Sequence, residues 1–141
     1  MVVQEQVLIR TGTPNDLLAC ISLVYQMQLE THWHQYPKPP IEDVMDFLIG
    51  LPFVAVAEWD DELIGMCGAS LEQHPCFQSI PYVLERSLYV HPLHRRGVIG
   101  MRLIRAIRQW GLERGARGLV IGRPTRHGET MHWYALGGGY V

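Results

Sequence analysis

The segment Leu88–Ile104 constrains the fold more than any other part of this chain. An apolar run, Tyr82–Val90, stops at His91-Pro92; two arginines and two glycines follow, and a strongly helical pattern then begins. This order predicts a strand, a glycine-containing turn and the N-terminus of a helix. The first turn of a helix leaves backbone N–H groups unpaired and carries partial positive charge, so it binds phosphate. The segment therefore predicts a diphosphate site made mainly by backbone amides.

The spacing of this turn excludes the common nucleotide-binding motifs, because the chain has neither G-x-x-x-x-G-K-[ST] nor G-x-G-x-x-G here. The turn instead resembles motif A of the GNAT superfamily of N-acetyltransferases, which reads V-x-P-x-x-[RQ]-x-x-G-x-[GA]. The matching residues are Val90, Pro92, Arg95 and Gly100. The first glycine of the pattern falls on Val98, and a shift of one residue would use Gly97 in its place. Either register places residues 95–101 on the phosphates.

This resemblance implies that the cosubstrate is acetyl-CoA and that the loop and the first helical turn hold its pyrophosphate. The residues implied in that contact are Arg95, Arg96, Gly97, Val98, Ile99, Gly100, Met101 and Arg102. The resemblance also implies that the backbone of Leu88, Tyr89 and Val90 pairs with the pantetheine arm and the acetyl carbonyl. His127 lies in the loop where the family often has an asparagine that contacts CoA.

A second signature lies near the C-terminus, where His132–Gly137 reads HWYALG. It resembles the family ending F-Y-x-x-x-G-F, with Tyr140 as the final aromatic residue after one extra glycine. In the family the tyrosine of this motif lies near the sulfur of CoA, which implies that Tyr134 is the general acid for the leaving thiolate. A phenol suits that role because it is neutral at pH 7 and can donate a proton.

The candidate general base is Glu85, on the strand that leads to the phosphate loop, where several family members keep a glutamate. Its register differs by one residue from the usual family position, and alternation along a strand would then turn it to the opposite face. Two alternatives remain open: Glu85 forms a surface ion pair with Arg86 or another neighbour, or an ordered water accepts the proton.

The candidate acceptor site is an aromatic, histidine-rich cluster after the first predicted helix, formed by Trp33, His34 and Tyr36. In the family this region lines the acceptor pocket. Acidic residues nearby, among them Glu30 and Glu42, favour a basic acceptor such as a primary amine. We expect no metal, because His32-x-His34 has no acidic or cysteine partner at a clear spacing.

The full pattern of elements predicts an α/β protein of one domain, residues 1–141, in the order β-α-α-β-β-β-α-β-α-β. It is similar to the GNAT order, with a mixed central sheet and helices on both faces. We expect a loop over Gly122–Gly128, a short last helix over Glu129–Leu136, and a last strand that is short or missing. An open sheet edge favours pairing with a second copy, so the pattern suggests a homodimer.

Charge is divided unevenly along the chain, although the formal net charge is only −2. Residues 1–85 have a balance of −10 and residues 86–141 a balance of +8. The basic half contains the phosphate loop, which suits CoA, but an arginine-rich half is also found in nucleic-acid-binding proteins. Without an aromatic stacking pattern, nucleic acid is the less favoured partner. A CoA-binding module that lacks catalysis is the other alternative.

The N-terminus lacks the pattern of a signal peptide, and no apolar run is long enough to cross a bilayer. We therefore expect a cytoplasmic protein with no membrane partner. Three cysteines without C-x-x-C spacing are then expected to be reduced thiols. Cys20 and Cys67 lie in apolar surroundings, which predicts core positions.

Overall fold

The computed structural model of the protein describes residues 6–77, 79–125 and 128–136. Its helices and strands follow in the order β1 (Leu8–Thr11), α1 (Leu17–Glu30), α2 (Ile41–Gly50), β2 (Phe53–Trp59), β3 (Glu62–Gln73), β4 (Pro81–Val90), α3 (Ile99–Leu112), β5 (Gly118–Thr125) and β6 (Gly128–Ala135). The strand, turn and helix predicted from the phosphate-loop segment are therefore present as β4, a short 3₁₀ turn over Pro92–His94, and α3.

The six described strands form one sheet in the order β1-β2-β3-β4-β5-β6. Every neighbouring pair is antiparallel except β4 and β5, which are parallel and are joined through α3. A parallel pair needs a crossover connection, and α3 supplies it. The prediction of an α/β protein with a mixed sheet is confirmed.

Helices cover both faces of this sheet, and alternation along the strands divides the core between them. On one face, Val56, Met66 and Tyr89 pack with α1 and α2. On the other face, buried residues of β2, β3 and β4 pack with Ile99, Leu103 and other residues of α3. Cys20 lies in the first cluster and Cys67 in the second, so the predicted core positions of both cysteines are confirmed.

The end of α3 is set by Gly115. Gly115 has a positive φ of 83°, a conformation that costs glycine little and other residues more. The backbone N–H of Ala116 donates to the carbonyl of Gly111, 2.9 Å away, which closes the last turn as in a Schellman motif. The chain then enters β5 directly beside β4.

The prediction for residues 122–136 is wrong, because β5 extends to Thr125 and Glu129–Leu136 does not form a helix. The segment forms β6 instead, antiparallel to β5, with Val120 opposite Trp133 and Leu119 opposite Tyr134. Trp133 packs over Gly118, where a Cβ would lie 2.2 Å from the indole ring. Aromatic and β-branched residues favour strands, and pairing with β5 supplies the backbone hydrogen bonds.

Within the described ranges, no helix is long and apolar enough to span a membrane. β6 is one edge of the described sheet, and Met131, Trp133 and Tyr134 are exposed on it. The predicted homodimer stays a prediction. Tyr140 and the glycine run before it lie outside the described residues.

Candidate active site

The parallel strands β4 and β5 pair over only three residues and then diverge. Their pairs are Tyr82 with Gly118, Val83 with Leu119, and Leu84 with Val120. Beyond Leu84, β4 continues for six residues to Val90 while still paired with β3 on its other side. A strand presents hydrogen-bonding groups to both sides, so the backbone groups of residues 85–90 that face β5 are available to a ligand.

A cleft of about 620 Å³ occupies the space where the two strands separate. Four elements contribute to its wall: the end of α1 with the turn after it, the diverging part of β4, the middle of α3, and the β5–β6 hairpin. The described residues that line it are Met27, Glu30, Thr31, Trp33, Glu85, Arg86, Ser87, Leu88, Tyr89, Val90, Arg95, Ile104, Ile121, Gly122 and Glu129. The structure therefore brings together five of the predicted site residues from β4 and its loop.

The N-terminus of α3 lies directly after this part of β4. Val98 is the N-cap residue of α3, and its side chain makes no capping hydrogen bond. The first backbone N–H groups of the helix therefore have no partner from the cap. Arg96, Gly97, Val98 and Met101 are exposed, whereas Ile99 is buried in the core. Among the described residues, a Cβ built on Gly100 would meet only Val90, at 4.0 Å. The helix mouth is thus open to a ligand.

Two arginines of the predicted phosphate site have partners within the protein. Arg95 donates from Nε to the carbonyl of Val90 at 2.7 Å and from Nη2 to the Glu30 carboxylate at 2.9 Å. Arg102 donates to the carbonyl of Val7 at 2.9 Å. Both side chains hold the surrounding structure together, so the backbone amides are the better candidates for phosphate contact.

Glu85 lies at the point where β4 leaves β5, one residue after the last paired position. A β-bulge follows it: Glu85 pairs with Ala69 and Ser87 with Gly68, so Arg86 is an extra residue in β4. This bulge breaks the simple alternation from which the sequence predicts that Glu85 faces away. Arg86 contacts Glu72 at 3.9 Å instead.

Burial raises the pKa of the Glu85 carboxyl group to about 7, and the negative charge of Glu129 adds to the shift. Desolvation and a like charge both disfavour the ionised form of a carboxyl group. A carboxyl group of this pKa is half ionised at neutral pH, which is the property that a general base needs.

Glu129 was not predicted as a site residue, because the sequence places it on a last helix. In the structure it lies on β6 and lines the cleft from the side opposite β4. Its carboxylate lies close to Gly122: a Cβ built on Gly122 would be 3.9 Å from Oε2 of Glu129. The cleft thus has carboxyl groups on both of its diverging walls.

The predicted acceptor cluster forms a 3₁₀ turn, His32–Gln35, after α1. Trp33 lines the cleft and remains 46% exposed, and its ring lies 5.5 Å from that of Tyr36. The Gln28 side chain donates to the carbonyls of Trp33 and Tyr36 and so fixes this segment on α1. His34 and Tyr36 are not among the described residues that line the cleft.

Tyr134 lies on β6, opposite Leu119, at the end where β4 and β5 are still paired. Its side chain is 42% exposed and is not among the described residues of the cleft wall. The structure does not bring Tyr134 to Glu85, and its role as general acid stays a prediction. His127 lies outside the described residues, so its predicted contact with CoA also stays a prediction.

Comparison with protein families gives a match to the acetyltransferase (GNAT) family over residues 21–137, which is most of the chain. The chain belongs to this family. It is therefore a GNAT acetyltransferase, and the cleft between β4 and β5 is its candidate active site. No curated protein sequence matches the chain. In the described part of this acetyltransferase, no group of three His, Cys, Asp or Glu residues is placed to hold a metal ion.

Solved structures with the same fold are acetyltransferases by name. One is an aminoglycoside N-acetyltransferase, AAC(6')-Iy, in complex with CoA, with 22% identity and a TM-score of 0.66; the match covers 80% of this chain and 74% of that chain. Another is a predicted acetyltransferase with acetyl-CoA from Clostridium acetobutylicum, with 11% identity, a TM-score of 0.71, and coverage of 84% and 82%.

A third is ribosomal-protein-alanine N-acetyltransferase from Brucella melitensis biovar Abortus 2308, with 21% identity, a TM-score of 0.66, and coverage of 84% and 80%. At these identities the likeness extends to the fold. It agrees with the family match and leaves the acceptor of this GNAT acetyltransferase to be argued from its own residues.

Proposed function

We propose that this protein transfers the acetyl group of acetyl-CoA to a primary amine by direct attack in a ternary complex. The observation that carries the proposal is the juxtaposition of three features at one cleft. These are the unpaired strand edge of β4, the open N-terminus of α3, and a partly buried Glu85 where β4 leaves β5.

The residues of the cleft fit acetyl-CoA. The pantetheine arm has amide groups that can pair with the strand backbone of Leu88–Val90, and the diphosphate suits the amides of residues 96–101. Gly100 leaves space at the helix mouth, since a Cβ there would have only a distant neighbour. The exposed Arg96, directly before the helix mouth, adds a positive charge there.

When bound, acetyl-CoA supplies an acetyl group activated as a thioester. The amine nitrogen forms a bond to the acetyl carbon while the carbon–sulfur bond breaks, and the products are an amide and a thiol. Glu85 accepts the proton that the amine loses, directly or through a water, because its pKa of about 7 lies near the working pH. The leaving thiolate takes up a proton; the resemblance implies Tyr134 as the donor, but Tyr134 is not among the described residues of the cleft wall.

We propose that the acceptor is a basic small molecule with a primary amine. Glu85 and Glu129 line opposite walls of the cleft, and the exposed ring of Trp33 offers a cation–π surface beside them. Glu30 adds little to this attraction, because its charge is already paired with Arg95. One similar structure is that of an aminoglycoside acetyltransferase from an uncultured soil metagenomic sample in complex with sisomicin.

The first experiment is calorimetric titration of the protein with acetyl-CoA and with CoA. We expect micromolar binding by the wild type and loss of binding in Gly100→Glu, because a carboxylate at the helix mouth repels the diphosphate. Gly50→Glu is the matched control: Gly50 ends α2, and a Cβ there meets nothing within 4 Å. Equal binding by wild type and Gly100→Glu would contradict the proposed cofactor site.

The second experiment measures thiol release from acetyl-CoA with a panel of acceptors. The panel contains sisomicin, a polyamine, a peptide with an N-terminal alanine, and the amino acid glycine, which has a primary amine but no net charge. We expect the fastest release with the polycationic amines, since Glu129 and the ionised form of Glu85 attract a cation. Equal rates with the charged and the neutral acceptors would show that the acidic walls do not select the acceptor.

A further inference from the structure

We infer that Glu30 is a positioning residue of the acetyl-CoA site, and that its carboxylate fixes the phosphate loop by holding the side chain of Arg95. The inference rests on the proposed function of the loop. The end of α1, which lines the cleft, would then also hold the loop that binds the cosubstrate.

The contacts join three elements at one point. Glu30 is the last residue of α1, Val90 is the last residue of β4, and Arg95 follows the 3₁₀ turn that leads to α3. Arg95 binds the Val90 carbonyl at 2.7 Å and the Glu30 carboxylate at 2.9 Å. The Tyr89 hydroxyl donates to the same oxygen of Glu30. The guanidinium carbon lies 5.1 Å from the centre of the Tyr89 ring.

The first half of the loop is fixed by backbone hydrogen bonds from the His91 N–H to the Ile64 carbonyl and from the His94 N–H to the His91 carbonyl. The second half is less constrained. Arg96, Gly97 and Val98 are exposed, and α3 begins without a side-chain cap. The backbone bond from Arg95 to Pro92 is long, at 3.5 Å. Amides that must converge on a diphosphate bind best when they are held in place before the ligand arrives. The Arg95 side chain, clamped between Glu30 and Val90, is the contact that supplies this order.

The same geometry separates two roles for Arg95. If Arg95 served the phosphates by its charge, Glu30 would oppose binding, because it neutralises that charge. If Arg95 serves by holding the loop, loss of either residue has the same consequence, and loss of both has no additional one. Residues that act as one unit show this non-additivity in a double-mutant cycle.

Calorimetric titration with acetyl-CoA tests the inference on wild type, Glu30→Gln, Arg95→Gln and the double variant. We expect each single variant to bind about tenfold more weakly, and the double variant to bind no more weakly than either. Glu30→Asp restores most of the affinity, because it keeps the carboxylate. Glu113→Gln is the control: Glu113 lies near Arg114 at the far end of α3 and does not contact the cleft.

Kinetics with the best amine of the acceptor panel give the second readout. A positioning role raises the KM for acetyl-CoA in Glu30→Gln and leaves kcat within about twofold, since the loop does not touch the reacting atoms. Affinity within twofold of wild type in Glu30→Gln, tighter binding, or additive losses in the double variant would each overturn the inference. A wild type that does not bind acetyl-CoA would instead overturn the proposed function and, with it, this inference.

Discussion

Two glutamates line the same cleft in opposite electrostatic surroundings. At the end of α1, the hydrogen bond from Arg95, with a further one from Tyr89, lowers the pKa of Glu30. At the base of the β4–β5 divergence, burial raises the pKa of Glu85 to about 7, with Glu129 as its like-charged neighbour. The residue type is the same in both regions, so the difference comes from the partner that the fold supplies.

This contrast separates structural from chemical tasks within one site. A carboxylate that is always charged and always paired, such as Glu30, can hold another side chain but cannot take up a proton near neutral pH. A carboxyl group with no cationic partner among the described residues, such as Glu85, changes its protonation state in the working range. We therefore expect substitution of Glu85 to change the rate of catalysis and substitution of Glu30 to change the binding of acetyl-CoA.

The largest expected effect comes from removing the base. Glu85→Gln keeps the shape of the side chain and removes its basicity, so we expect kcat/KM to fall by about 100-fold or more. Thiol release with the best amine measures this loss. Glu72→Gln on the neighbouring strand is the control and should retain wild-type kcat/KM. A loss smaller than fivefold in Glu85→Gln would show that ordered water accepts the proton.

The second expected effect is on stability, and the two glutamates should act with opposite sign. Because the pKa of Glu85 is raised in the folded state, the free energy of unfolding of the wild type decreases as pH rises from about 4.5 through 7. Glu85→Gln should therefore be more stable than wild type at pH 8, by about 2 kcal/mol, and similar at pH 5. Urea unfolding at both pH values measures the difference.

Glu30 gives the matching half of that experiment. Its lowered pKa means that its stabilising contribution is fully present above about pH 4.5 and is lost as pH falls through the folded-state pKa. Glu30→Gln should be less stable than wild type at pH 8, by no more than about 1 kcal/mol, because the ion pair is partly exposed. If Glu85→Gln and Glu30→Gln were both less stable than wild type at pH 8, the proposed difference between the two glutamates would be contradicted.

A smaller effect is expected from the neighbour of the base. Removal of its charge in Glu129→Gln lowers the pKa of Glu85, so the rising limb of kcat/KM against pH moves to lower pH. We expect the activity at pH 6, relative to pH 8, to increase about twofold, since burial and not Glu129 is the main cause of the shift. An unmoved or upward-moved limb would show that Glu129 does not act on the base.

The smallest effect is expected at Tyr134, where the resemblance and the structure lead to different expectations. A general acid at this position would make Tyr134→Phe lose a large part of kcat. Its place on β6, away from the described wall of the cleft, predicts instead a loss of less than about threefold. A loss of 100-fold at unchanged KM would restore the role that the motif implies.

Local pattern was sufficient to predict the fold around the phosphate loop. The strand, the turn after His91-Pro92 and the helix that ends before Gly115 each follow from periodicity and from residues with strong backbone preferences. The turn between β2 and β3 has positive φ at Asp60 and Asp61, a conformation that aspartate tolerates better than most residues. The family resemblance found on the same residues is confirmed by the match over residues 21–137.

Other features depend on contacts that a single sequence does not reveal. The pattern of the eight residues of β6 is compatible with a helix or a strand, and pairing with β5 decides between them. Because the sequence predicts a helix here, Glu129 is missing from the predicted site. The bulge at Arg86 is a property of the β3–β4 pairing. The bond between Glu30 and Arg95 joins residues 65 positions apart. Long-range pairing therefore decides the chemistry of the cleft, although local pattern decides its scaffold.

The most direct test of the contrast is a ¹³C NMR titration of the glutamate side-chain carboxyl groups between pH 3 and pH 9. Glu85→Gln and Glu30→Gln supply the assignments by removing one resonance each. We predict one carboxyl group with a midpoint near 7 that is missing from Glu85→Gln, and a Glu30 resonance that titrates below its ordinary range of about 4.5. If the Glu85 resonance titrates below pH 5, Glu85 is an ordinary exposed carboxylate and the central claim is contradicted.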